Sequence, residues 1–123
     1  MVDSLLVWPI LQQPFFKGSR MTTTSRQSTL QRRATVIASL AHPSRLLIVE
    51  ALEMGEKTVS ELTEIVGSDI STVSRHLGVL RNAGIIASRR DANRILHRLL
   101  TPCLTEFLLC VEKVVSESCG ECR

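Results

Sequence analysis

The chain has 123 residues and a formal net charge of +3, and 44% of its residues are hydrophobic while 22% are charged. This length suits one compact domain and argues against an enzyme with a separate cofactor-binding domain. Only four residues are aromatic, and just one of them lies beyond residue 20, which argues against a stacking platform for RNA or single-stranded DNA.

Residues 1–24 are predicted to be an N-terminal arm outside the folded domain. Their short apolar patch, residues 5–11, contains Pro9 and lacks the basic start and the small-residue cleavage site of a secretory signal. Met21 opens a stretch rich in Thr and Ser, which indicates that the arm is disordered or reflects a misassigned start. No apolar run approaches the roughly 18 residues of a membrane-spanning helix, so we expect a cytoplasmic protein without a membrane partner.

Residues 25–118 are predicted to form one domain that begins with three short helices. Apolar residues at helical spacing indicate a first helix over residues 27–41, which ends because the residue before Pro43 is disfavoured in helical conformation. A second helix is predicted over Arg45–Met54. Ser60 is the expected N-terminal cap of a third helix, and Gly67 is its expected C-terminal cap.

A fourth helix follows after a three-residue turn, and this spacing is typical of a helix-turn-helix unit. It is predicted to run from about Asp69 to Ala83. The residues that fall within one narrow arc at 100° per residue, and so form its predicted buried face, are Ile70, Val73, Leu77 and Leu80. The opposite face is polar and basic and comprises Ser71, Arg75, Gly78 and Asn82, flanked by Thr72 and Ser74. Such a face can approach base edges in the major groove, where hydroxyls and an arginine donate hydrogen bonds.

Two β-type runs, residues 85–90 and 94–99, surround Asp91-Ala92-Asn93 and predict a hairpin with arginines near its tip. Arg89, Arg90 and Arg94 would lie against phosphates or in a minor groove. The order of elements predicts a mainly α fold with a small β-hairpin, which is a winged helix-turn-helix.

Charge is unevenly distributed along the chain. Residues 46–69 carry six acids against one lysine, a sum of −5, and residues 71–98 carry six arginines against one aspartate, a sum of +5. The basic block includes Arg81 and suits a polyanion such as duplex DNA. Charge alone is equally consistent with a solvated, arginine-rich hairpin.

Four segments carry a resemblance to a known family: Leu-Ala-His-Pro-Ser-Arg-Leu (40–46), Val-Ser-Glu-Leu (59–62), Ser-Thr-Val-Ser-Arg-His-Leu (71–77) and Val-Leu-Arg-Asn-Ala-Gly-Ile-Ile (79–86). With the hairpin, the stretch from Leu40 to about Thr101 resembles the ArsR/SmtB family of bacterial metalloregulators. The resemblance implies a cytoplasmic homodimer joined through its first and last helices. It also implies a repressor that binds double-stranded, palindromic operator DNA in its own promoter and is released by an inducer.

On the matching positions, the resemblance implies that DNA contacts come from the hairpin arginines and from Ser71, Thr72, Ser74, Arg75 and His76. The hairpin tip departs from the family, which usually has a glycine there, and Asn93 is expected to supply the left-handed backbone instead. No arrangement of nucleophile, base and orienting residue is present, so we expect a binding protein rather than an enzyme.

All four cysteines lie in the last helix and the tail: Cys103, Cys110, Cys119 and Cys122. In the absence of a secretory signal, reduced thiols are expected rather than a disulfide framework. The resemblance implies that two of the family's metal sites are absent, because residues 63–65 contain no thiol and no Asp or His follows Thr101. An all-thiolate set favours soft ions, namely As(III), Sb(III), Cd(II) or Cu(I).

Cys119 and Cys122 have a chelating Cys-x-x-Cys spacing and define a predicted tail, residues 119–123. Cys103 and Cys110 would be roughly 10 Å apart along a helix, too far for one ion, so a third sulfur must come from a folded-back tail or from the partner subunit. We therefore expect arsenite, or another thiophilic ion, as the inducer.

Other interpretations of the cysteines stay open at this point. Cys103 and Cys110 also suit small apolar residues at a dimer interface. Neighbouring thiolates can bridge instead of chelating, which makes a redox or persulfide sensor on the same fold an alternative. A winged-helix module that binds another protein is a further alternative.

Overall fold

The computed structural model describes residues 25–121 and the side chains of residues 26–117, so the predicted N-terminal arm and Cys122 lie outside the described residues. The elements in chain order are α1 (Ser25–Leu40), α2 (Pro43–Glu53), β1 (Lys57–Thr58), α3 (Val59–Val66), α4 (Ile70–Asn82), β2 (Ile86–Asp91), β3 (Arg94–Leu99) and α5 (Leu104–Glu121). The winged helix-turn-helix predicted from the sequence is confirmed.

The chain divides into two compact units, Met1–Ala38 and Ser39–Arg123. The described part of the first unit is most of α1, a 16-residue helix. Two of its large apolar side chains, Leu30 and Ile37, are more than half exposed. A polar helix with two exposed aliphatic side chains lacks a core of its own.

The core of the second unit lies among α2, α3, α4 and the sheet. Its fully buried side chains come from all of these elements: Ile48, Val49, Leu62, Val73, Leu80 and Ile86. Apolar residues spaced three and four apart bring one face of each helix to this core. The helix-turn-helix is therefore held by side chains on the faces of α3 and α4 that point away from solvent.

Caps define where the helices begin and end. His42 is the N-cap of α2, and its Nδ1 accepts a hydrogen bond from the backbone N–H of Ser44. Thr58, not Ser60, caps α3: the Thr58 hydroxyl accepts from the N–H of Glu61, and the Glu61 carboxylate accepts from the N–H of Thr58. The prediction of Ser60 as the cap is wrong because α3 starts at Val59, two residues earlier than a cap at Ser60 implies. Gly67 closes α3 with a φ of 72°, as predicted.

The wing is a three-stranded antiparallel sheet with strand order β1-β3-β2. β2 and β3 form the predicted hairpin with Ile86 opposite Leu99 and Asp91 opposite Arg94. The two residues of β1 add a strand that the sequence analysis did not predict, with Lys57 opposite His97. At the tip, Ala92 rather than Asn93 takes the left-handed backbone, with a φ of 53°. The expectation for Asn93 is therefore wrong by one position.

α5 follows the wing and presents apolar side chains to solvent. Those that are exposed in the single chain are Phe107, Leu109, Val111, Val114 and Val115. Large exposed apolar residues of this kind are typical of a surface that another polypeptide covers.

Within residues 25–121, no single helix is long and apolar enough to cross a membrane. The pair α1 and α2 reaches that length and composition only when the two helices are taken together across the break that follows α1. In α2, Ile48, Val49 and Leu52 are buried in the core of the second unit.

Candidate nucleic-acid interface

The start of α4 is held by its N-cap, Asp69. One carboxylate oxygen accepts from the backbone N–H of Thr72 at 3.0 Å and the other accepts from the Thr72 hydroxyl at 2.6 Å. These hydrogen bonds lower the pKa of Asp69, so the carboxylate stays charged at the positive end of the helix. The Thr72 hydroxyl therefore donates within the protein and meets a ligand only as an acceptor.

One face of α4 is buried, and the opposite face is exposed and polar. Val73, Leu77 and Leu80 are buried as predicted. Ile70, predicted to join them, is 51% exposed because it is the first residue of the helix. The exposed polar positions are Ser71, Ser74, Arg75, Arg81 and Asn82, with Thr72 half-buried beside them. This arrangement places hydroxyls and a guanidinium on one accessible helix face, which is the geometry that major-groove recognition needs.

His76 lies on the buried face, not on the exposed one. It is 8% exposed, and its ring centroid lies 4.5 Å from that of His42. Burial, followed by the charges of His42, Arg45 and Arg75, lowers the pKa of His76. The DNA contact that the family resemblance implies for His76 does not agree with this position, since the side chain packs where α4 meets the start of α2.

The wing places its arginines at the solvent-exposed end of the sheet. The side chains of Arg89, Arg90 and Arg94 are all exposed, as the predicted phosphate contacts require. Arg89 forms an ion pair with Glu56 at 2.6 Å, and Arg94 lies 4.0 Å from Asp91. Glu56 could not be predicted from the sequence, because only the pairing of β1 with β3 brings this residue close to Arg89.

His97 is buried in the middle of β3. Its Nδ1 has no hydrogen-bond partner among the described residues, and burial, followed by the charge of Arg81, lowers its pKa. Its position is that of a structural residue in the sheet, and it does not reach the exposed surface.

The two cysteines with described side chains follow the wing along the chain. Cys103 precedes α5 and Cys110 lies on it, and both are exposed free thiols. Among residues 26–117, whose side chains the structure describes, no group of three potential metal ligands comes together. The backbone of Cys119 belongs to α5, but its side chain and the whole of Cys122 lie outside the described part, so the chelating pair stays a prediction.

Comparison with known proteins agrees with this geometry. The family model described as "Bacterial regulatory protein, arsR family" matches residues 42–88, from the N-cap of α2 into the wing. The uncharacterized HTH-type transcriptional regulator Rv0081 of Mycobacterium tuberculosis is 39% identical over 85 residues, which are 68% of this chain and 75% of that protein. Its crystal structure has a TM-score of 0.68 with this chain at 35% identity, covering 76% of this chain and 94% of that one.

Two further proteins share the fold. The transcriptional repressor BigR from Xylella fastidiosa has a TM-score of 0.61 at 32% identity, covering 74% of this chain and 96% of that one. The homodimeric winged helix-turn-helix DNA-binding domain Mb0332 from Mycobacterium bovis has a TM-score of 0.68 at 26% identity, covering 79% of this chain and 91% of that one.

The fold and the exposed face of α4 thus define a winged helix-turn-helix DNA-binding protein. The chain belongs to the ArsR family of bacterial regulatory proteins. It is a transcriptional regulator and not an enzyme.

Proposed function

We propose that this protein is a homodimeric transcriptional repressor that binds double-stranded operator DNA with α4 and the wing. The observation that carries the proposal is the division of α4 into a buried apolar face and an exposed face with Ser71, Ser74 and Arg75. Within the described residues, Arg75 has no ion-pair partner, so its guanidinium is available to a base edge or a phosphate. BigR, which shares the fold, is a transcriptional repressor by its description.

The proposed homodimer uses the first and last helices. α5 presents Phe107, Leu109 and Val115 to solvent, and α1 presents Leu30 and Ile37. A second copy of the chain would cover these apolar side chains, and a two-fold axis would place two α4 helices for the two halves of a palindrome. The Mb0332 domain, which shares this fold, is described as homodimeric.

The test of DNA binding is the affinity for duplex DNA from the region upstream of its own gene, measured over a range of salt concentrations. We expect a steep loss of affinity with salt, because phosphate contacts release counterions. Arg75→Ala should weaken binding about tenfold or more. Arg32→Ala is the matched control, because Arg32 is exposed and lies on the side of α1 opposite Leu30 and Ile37, and it should bind like the wild type. Equal binding by the two variants would contradict the α4 surface, and no binding by the wild type would favour a protein-interaction module.

For the inducer, we propose a thiophilic metalloid, arsenite foremost and Sb(III) or Cd(II) as analogues, bound by Cys119 and Cys122. A third thiolate would come from Cys110 or Cys103. The exposure of Cys103 and Cys110 supports this, since both thiols are accessible in the single chain and soft ligands suit As(III). A site shared between subunits would alter the dimer interface and thereby the spacing of the two α4 helices.

The test of the inducer is fluorescence anisotropy of the reduced protein on the same duplex, titrated with arsenite and, in parallel, with a polysulfide. Release at near-stoichiometric arsenite supports the metalloid repressor. Release by polysulfide alone, reversed by a reductant, would instead support the second candidate, a redox or persulfide sensor using the accessible thiols. A Cys119→Ser, Cys122→Ser double variant that keeps its arsenite response would contradict the tail site.

A further inference from the structure

The arginines of the wing are divided between the two faces of its sheet. Side chains alternate along a strand, and the register places Arg89 opposite Leu96 and Arg90 opposite Ile95. Arg90 therefore lies on the same face as the buried Ile86 and His97, beyond the edge of the core, whereas Arg89 lies on the outer face.

On the outer face, Arg89 is bound by Glu56 in a forked arrangement. Its Nη2 donates to Oε2 of Glu56 at 2.6 Å, and its Nε donates to both carboxylate oxygens at 3.1 Å. A forked pair between arginine and a carboxylate is stronger and more directional than an ordinary surface ion pair. The contact raises the pKa of Arg89 and lowers that of Glu56, so both groups are charged near neutral pH.

The pair spans the width of the wing. Glu56 directly precedes β1, and Arg89 lies on β2, while β3 lies between these two strands. The ion pair therefore joins the two outer strands across the central one. It also links the hairpin to the residues that lead into α3, the first helix of the helix-turn-helix.

The other two arginines near the tip are held less firmly. Arg94 lies 4.0 Å from Asp91, its neighbour across the turn, at the limit of an ion pair. Arg90 has no ion-pair partner within the described residues. A phosphate that displaced Glu56 from Arg89 would leave an uncompensated carboxylate beside a polyanion, whereas a contact with Arg90 breaks nothing.

We propose that Glu56 is a positioning residue for DNA binding: it holds Arg89 across the sheet, fixes the angle of the hairpin, and leaves Arg90 as the arginine that meets a phosphate. Arg89 then acts on DNA affinity through the orientation of the wing and not by contact. This inference rests on the proposed binding of duplex DNA by the wing.

The test compares the salt dependence of DNA binding for the full chain and five variants. Four are single variants, Arg89→Gln, Arg89→Lys, Glu56→Gln and Arg90→Gln, and the fifth is the Arg89→Gln, Glu56→Gln double variant. Arg90→Gln removes one phosphate contact from each subunit of the proposed dimer. At about 0.9 per contact, the slope of log K against log salt should therefore fall by about 1.8. Arg89→Gln and Glu56→Gln should each weaken binding about two- to fivefold at an unchanged slope, and the double variant should be no weaker than either single one. Arg89→Lys keeps the charge but loses the fork, so it should behave like Arg89→Gln.

Different results would overturn the positioning role of Glu56 and the proposed DNA-binding surface. A slope that falls by about 1.8 in Arg89→Gln, or tighter binding by Glu56→Gln, would show that Arg89 contacts DNA and would overturn the role of Glu56. Binding by the wild type that hardly depends on salt would overturn the proposed DNA surface itself, and the positioning role with it. Thermal unfolding of each variant identifies any change that comes from loss of the fold.

Discussion

Acidification is expected to destabilise the protein through two buried histidines. His76 of α4 and His97 of β3 are 8% and 5% exposed, and burial is the main cause that lowers the pKa of each imidazole from its usual 6.5. In the unfolded chain both rings regain that value, so below about pH 6.5 the unfolded state binds more protons than the folded state. Their contribution to stability is therefore complete above pH 6.5 and is lost as the pH falls toward the lowered values.

The size of the effect follows from proton linkage. An imidazole that stays neutral in the folded protein but titrates at 6.5 in the unfolded chain lowers the free energy of unfolding by about 1.4 kcal/mol at pH 5.5. Two such rings set a ceiling of about 2.8 kcal/mol, which is a large part of the stability of a small domain. The pKa values of the carboxylates of Glu56, Glu61 and Asp69 are lowered, so these groups titrate below pH 5.5. They therefore contribute little to the change in stability between pH 7.5 and pH 5.5.

The assay is urea unfolding followed by far-UV circular dichroism near pH 7.5 and pH 5.5, at one protein concentration because a dimer's stability depends on it. The wild type should lose up to about 2.8 kcal/mol between the two conditions, and His76→Gln and His97→Gln should each lose about half as much. A wild-type stability that does not change over this range would refute the linkage argument. So would a single variant that keeps the whole pH dependence.

Three further changes test the local structure by urea unfolding. Thr58→Ala should lower the free energy of unfolding by about 1 kcal/mol through loss of the α3 cap, while the control Ser60→Ala should change it by less than about 0.5 kcal/mol; equal losses would contradict the capping box. Gly67→Ala should cost about 1 kcal/mol from left-handed backbone strain alone, because no atom lies within 4 Å of the added Cβ; a neutral result would show that the helix end relaxes. Ala92→Gly should stabilise the wing by up to about 1 kcal/mol by relieving the strain at a φ of 53°, and a destabilised variant would contradict that account.

The helices could be predicted from the sequence because their signals are local. The start of α4 depends on Asp69 and its end on the turn that contains Gly84, and both signals lie within a few residues of the helix. The buried stripe of α4 was predicted less well. A helical projection treats all positions as equivalent, but Ile70 lies at the exposed first turn, whereas His76 is covered by His42 from α2.

The contacts that the sequence did not predict are those that depend on pairing between distant segments. β1 has only two residues, too few for a pattern of alternation, and it exists because β3 offers an edge to it. The ion pair of Glu56 and Arg89 joins residues 33 positions apart and follows from that pairing. Spacing along the chain indicates which arginines lie near the tip, but it does not indicate which of them a carboxylate already holds.

The short strand β1 has a consequence for how the protein opens locally. A two-stranded hairpin is only marginally stable in water, but here Thr58 both pairs with β3 and caps α3. Fraying of the first turn of α3 therefore loosens the strand that pairs with β3, and loss of the pairing with β3 leaves the cap residue of α3 without that support. Amides in β3 and at the start of α3 should exchange with solvent deuterium through the same opening event, so the wing and the helix-turn-helix form one cooperative unit.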